Sequence, residues 1–147
     1  MPQIAEVSFA YRSTVPVDSL PIITSPEAAA AFLRCIWNDA HLELKEEFIV
    51  ILLDNQKQVL GWNLVSSGGA TTTIVDMASI FLVALLGKAK SLILSHSQPS
   101  NNPTPSNAYI QLTKGAMESG KLLGITVDDH AILYRSGFTS LRSEGLM

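Results

Sequence analysis

Few side chains able to bind a metal or move a proton stand where they could act together in this chain of 147 residues. His96 is the most suggestive. It closes an apolar run from Ser91 and is followed by a proline-rich loop, Ser97 to Pro105, and then by a helix start at Ser106. Ligands and catalytic groups collect where the strands of an α/β sheet end and helices begin, and an imidazole there serves as a metal ligand or a base near neutral pH. Glu46 heads a strand and shares its face with Phe48, Val50 and Leu52. A carboxylate among apolar neighbours is costly without a partner, so Glu46 is a candidate general base. Ser106 has the residue type of a helix N-cap. The other two histidines read differently. His41 is expected to end the first helix as a solvated cation, and His130 alternates along the last strand as a satisfied, partly buried ring. Cys35 falls in an apolar helical pattern, where a buried structural thiol is expected. As the single cysteine it forms no intrachain disulfide.

The elements that must position these residues follow from local signals. Alternation over Ile4 to Tyr11 predicts a first strand, and the loop Ser13 to Ser25, with Pro16 and Pro21, separates it from the rest. Ser25 as N-cap, Pro26 at the first helical position and Glu27 in the first turn start a helix. Its expected core face is Phe32, Leu33, Ile36, Trp37 and Ala40. Glu46 to Leu53 and Gln58 to Val65 read as a hairpin turned by Asp54 to Lys57, and Ser66 to Gly69 breaks the pattern. Asp76 caps a helix running to about Ala89, packed through Ile80, Phe81, Ala84 and Leu85. Ser91 to His96 is a short strand buried on both faces. Ser106 opens a helix that Gly124 closes after Leu123. Ile125 to Tyr134 is the last long strand, with Phe138 to Leu141 as a return. This order predicts an α/β fold, a mixed central β-sheet flanked by helices, in a single domain over 1–147.

Composition narrows the function classes. With 47% hydrophobic and 16% charged residues there is ample material for one core. The longest apolar stretch, Ile80 to Leu86, is far short of the roughly 20 residues that span a bilayer. Met1 to Arg12 lacks a basic start followed by an apolar run, so no signal peptide is read and a cytoplasmic location is expected. A net charge of −3 and ten scattered basic residues make direct nucleic-acid binding unexpected, because phosphate neutralisation needs clustered Lys and Arg. Gly87-Lys88 lacks the glycine and hydroxyl spacing of a phosphate loop, and Ser67-Gly68-Gly69 lacks that of a dinucleotide fingerprint.

The loop around His96 resembles a known family. His96-Ser97-Gln98-Pro99-Ser100, then Pro103-Thr104-Pro105-Ser106, then Tyr109, track the RadC pattern His-Asn-His-Pro-Ser, Pro-Thr-Pro-Ser-x-x-Asp. The seven residues between Gln98 and Ser106 match the JAMM spacing. Ser66-Ser67-Gly68-Gly69, Leu123-Gly124-Ile125, Asp129-His130 and Glu144-Gly145-Leu146 also fall in family-like places. The chain is thereby similar to the RadC-like branch of the JAMM/MPN (JAB) metallohydrolases from about Ile22 onward. The resemblance implies the JAMM/MPN, cytidine-deaminase-like architecture.

In that family two histidines and an aspartate hold zinc, and a water completes an open catalytic geometry. A glutamate takes the proton of that water, and a serine stabilises the oxyanion. Carried over by position, His96 is the first ligand, Glu46 the base and Ser106 the oxyanion donor, with Gln98 and Tyr109 at the other two ligand positions. A neutral amide oxygen is a poor zinc ligand, and a phenol ligates only after losing a proton of pKa about 10. The resulting expectation is a metal-free pseudo-hydrolase acting as a binding or scaffolding module for a protein or peptide partner, with no cofactor. Whether the domain is an enzyme stays open. One alternative is a zinc-dependent amide or isopeptide hydrolase with altered ligation, and another is a DNA-repair-associated accessory protein. Self-association into a homo-oligomer stays open.

Overall fold

The computed structural model describes residues 5–8, 10–16, 19–68 and 75–147. Among them the elements run α1 (Pro26–Ile36), β1 (Glu47–Leu53), β2 (Val59–Ser67), α2 (Met77–Leu86), β3 (Ser91–Ser97), α3 (Asn107–Leu123), β4 (Thr126–Tyr134) and β5 (Gly137–Ser140). A short 3-10 turn, Asp39–His41, lies between α1 and β1. The strands form one mixed sheet in the order β2-β1-β3-β4-β5. Only β3 and β4 pair in parallel, and α3 makes the crossover between them.

Strand β1 explains the layering. Every residue of Glu47-Phe48-Ile49-Val50-Ile51-Leu52-Leu53 is buried, and successive side chains point to opposite faces. Phe48, Val50 and Leu52 join Ile80, Phe81 and Ala116 in a core beneath α2 and α3. Ile49, Ile51 and Leu53 join Leu33, Trp37 and Ala29 in a second core beneath α1. A helix layer therefore covers each face of the sheet, as its apolar central strands require.

Local chemistry sets the helix ends. Ser25 Oγ accepts from Ala28 N at 3.1 Å, Asp76 Oδ1 from Ser79 N at 2.7 Å, and Ser106 Oγ from Tyr109 N at 3.2 Å. Each satisfies a first-turn N–H that the helix cannot. Gly124 ends α3 with φ of 72°, a left-handed conformation that glycine adopts without penalty. Gly120 lets α3 close on β4: a Cβ there would sit 2.2 Å from the Ile125 carbonyl oxygen.

Several expectations are corrected. The strand predicted over Ile4 to Tyr11 does not form: residues 5–8, 10 and 11 carry no strand and are exposed, while Ile4 and Phe9 lie outside the described residues. The outer edge of β2 is met instead near Pro21 and Ile22, through Val59 N donating to Pro21 O and an Ile22–Gln58 bridge. Helix α1 stops at Ile36, so Ala40 is exposed and His41 sits in the 3-10 turn, its Nδ1 3.3 Å from Glu47 Oε1. Cys35 is exposed, because the face turned to the sheet carries Ala29, Ala30 and Leu33. Helix α2 ends at Leu86 rather than near Ala89, and Leu85 points outward beside the buried Ala84. Ser66 and Ser67 continue β2 rather than breaking it, and Gly69 lies outside the described residues. No described helix is long and apolar enough to cross a membrane.

Candidate functional site

The C-terminal end of β3 gathers most of the residues singled out above. His96 is the penultimate residue of β3, paired with Phe48 on β1 and Ile132 on β4. Its ring continues the face of Leu92 and Leu94, beneath α3. Tyr109, in the first turn of α3, lays its ring flat on that imidazole, with centroids 3.7 Å apart and planes 10° from parallel. Both side chains are almost wholly buried. Phe48 stacks beyond Tyr109 at 6.3 Å. Glu46, half-buried immediately before β1, lies near the Tyr109 hydroxyl at the N-terminal end of that central strand.

Two further side chains complete the cluster. His130 on β4 is fully buried, its Nε2 2.8 Å from His96 Nδ1. Its other nitrogen, Nδ1, is 2.7 Å from Thr113 Oγ1 on α3, and that hydroxyl donates to the Tyr109 carbonyl at 2.7 Å. The alternation along β4 anticipates a satisfied His130 but only partial burial, whereas the ring is fully enclosed between β3 and α3. Thr113 was legible only as a residue four positions after Tyr109 on one helix face. Its neighbour in space, His130, comes from another element.

Burial governs the protonation of these groups. It holds the His96 ring well below the usual imidazole range, and repulsion from His130 adds to this. Burial alone lowers His130 to about 3. The Tyr109 hydroxyl is pushed above its ordinary range, first by burial and then by the charge of nearby Glu46. The site at neutral pH therefore consists of two neutral imidazoles and a neutral phenol.

The remaining family positions lie at its rim. Gln98 is half-buried one residue past β3, its N–H bonded to Leu133 O at 2.8 Å. Ser106 is exposed, and the bond its hydroxyl accepts is the helix cap. The loop between them is pinned from the β4–β5 hairpin: Ser136 N donates to Asn101 Oδ1 at 3.1 Å and Thr139 Oγ1 to Pro103 O at 2.9 Å. The match at Asp129 has a structural use. Asp129 Oδ1 accepts from Arg142 N at 3.1 Å and Oδ2 from Ser140 Oγ at 2.6 Å, tying the C-terminal turn to β4.

A mixed five-stranded sheet between helix layers, with a buried histidine near the end of its third strand beneath a capped helix, defines a protein of the JAB/MPN class. The RadC-like JAB domain profile matches residues 23–146, and the chain belongs to that family. It is 36% identical over 135 residues to a UPF0758 protein of Desulforamulus reducens, covering 92% of this chain and 58% of that protein. It is 38% identical over 125 residues to one of Symbiobacterium thermophilum, covering 85% and 52%. A third, from Methanosarcina barkeri, is 40% identical over 103 residues, covering 70% and 45%. The chain thus spans about half the length of the curated relatives it matches.

Proposed function

We propose that this RadC-like JAB domain is a pseudo-hydrolase: a metal-free binding or scaffolding module whose zinc position is taken by an aromatic side chain. The observation that carries the reading is the Tyr109 ring stacked 3.7 Å from the His96 imidazole. The donor set does not fit a zinc centre. Of the three family ligand positions only His96 offers a neutral imidazole lone pair. Gln98 offers an amide oxygen, and the Tyr109 phenol is driven away from the phenolate a metal needs. His130 does not substitute, because both its nitrogens face protein partners. Among the described residues no group of three or more His, Cys, Asp or Glu is placed to hold a metal ion.

The other retained residues keep structural tasks in this reading. Ser106 caps α3, and Glu46 faces the Tyr109 hydroxyl at the edge of β1. What survives is a rigid sheet end with a polar rim, suited to holding a protein or peptide partner. Elemental analysis of protein purified without chelator tests the proposal. Zinc far below one equivalent is expected. Zinc near one equivalent that disappears in His96→Ala would support the alternative, a zinc hydrolase with altered ligation.

A further inference from the structure

We infer that Thr113 and His130 are positioning residues that hold His96 in one tautomer, with its proton on Nδ1 and its Nε2 left as a bare acceptor. Thr113 Oγ1 lies 2.7 Å from Tyr109 O and 2.7 Å from His130 Nδ1. A carbonyl oxygen can only accept, so its short contact needs the threonine hydrogen. If that hydrogen turned to His130 instead, two oxygens would face each other at 2.7 Å with nothing between them. The hydroxyl therefore donates to Tyr109, and its lone pair faces His130 Nδ1, which must carry a hydrogen.

The order then propagates. A neutral imidazole has one N–H, so His130 Nε2 accepts. His96 Nδ1, 2.8 Å away, must donate to it, and His96 Nε2 is bare. A second proton on either ring is opposed by full burial. Turning either ring over would place carbon where these short contacts require nitrogen, and the Tyr109 stack and the edge of His130 against Phe48 pack the rings in place. The consequence concerns the chemistry of the site: the His96 nitrogen turned away from His130 offers a lone pair and no N–H. The assignment stands independently of the zinc-free reading, because it rests on the protein's own protons.

The test is the nitrogen-15 pattern of the histidine rings in the full chain at pH 7, by long-range proton–nitrogen NMR, with His41→Gln to assign the third ring. Free neutral histidine favours the proton on Nε2. His96 and His130 are both expected to show the reverse, with Nδ1 protonated and Nε2 not. An Nε2-protonated His96, or an averaged mixture at that ring, overturns the inference. Thr113→Val removes the acceptor at similar volume and should abolish the single-form pattern at both rings, and Thr113→Ser should restore it. A Thr113→Val spectrum unchanged from the parent overturns the role of Thr113. Should that variant not fold, the parent spectrum still decides the tautomer.

Discussion

At the scale of residues, the site is decided by what stands beside His96. Its place at the end of an apolar strand made it visible in the sequence, as did the spacing to Ser106. The stacking of Tyr109 and the bonds to His130 and Thr113 were not visible, because they join α3, β3 and β4 through packing that spacing does not encode. Burying His130 as a neutral ring has a pH consequence. The unfolded ring takes up a proton below about 6.5, whereas the native ring resists until about 3. Its folded pKa is depressed, so the stability it contributes is complete above about pH 6.5 and is lost as pH falls from there towards 3. The slope is about 1.4 kcal/mol per pH unit for one such proton. Urea unfolding is therefore expected to show a loss of about 2 kcal/mol from His130 between pH 7.5 and 5. Stability that stays flat over that range would contradict a buried neutral ring.

At the scale of elements, helix starts were legible and strand partners less so. Ser25, Asp76 and Ser106 cap where their residue types indicate, because a cap is a local bond within one turn. The strand expected over Ile4 to Tyr11 failed for the opposite reason. Alternation is local, but a strand exists only with a partner edge, and the start of β2 bonds to Pro21 instead. The strand order β2-β1-β3-β4-β5 likewise comes from which apolar faces meet, and only its mixed character was readable. The contact of α3 with β4 gives a test at this scale. Alanine is ordinarily the better helix residue by up to about 1 kcal/mol. At Gly120 its Cβ would meet the Ile125 backbone oxygen at 2.2 Å, which cannot move without displacing β4. Gly120→Ala is expected to destabilise by about 1–3 kcal/mol in denaturant unfolding. Gly115→Ala meets only the flexible end of Met77, at 3.3 Å, and should be neutral or mildly stabilising. Equal effects at the two positions would count against the close approach.

At the scale of the whole molecule, an apolar core lies on either face of β1. Thermal unfolding with and without a strong chelator is expected to superimpose, since burying a leucine or isoleucine contributes about 2–3 kcal/mol and many are fully buried here. A midpoint lowered by chelator would reveal a metal holding the fold. In the reading proposed above, Gln98 and Tyr109 are what deny this RadC-like domain its zinc. Around them the loop is pinned through Asn101 and Pro103, α3 is capped by Ser106, and His96 is bonded to His130. Replacing Tyr109 by aspartate removes the ring from the imidazole face, and Gln98→His adds the second nitrogen ligand. The most direct measurement is a calorimetric zinc titration of the parent beside the Gln98→His, Tyr109→Asp double variant. Weak or no binding by the parent and a gain of at least about 100-fold by the variant is the predicted result, given that outer-shell changes alone cost about 10- to 100-fold. Equal affinity in the two proteins would contradict the account.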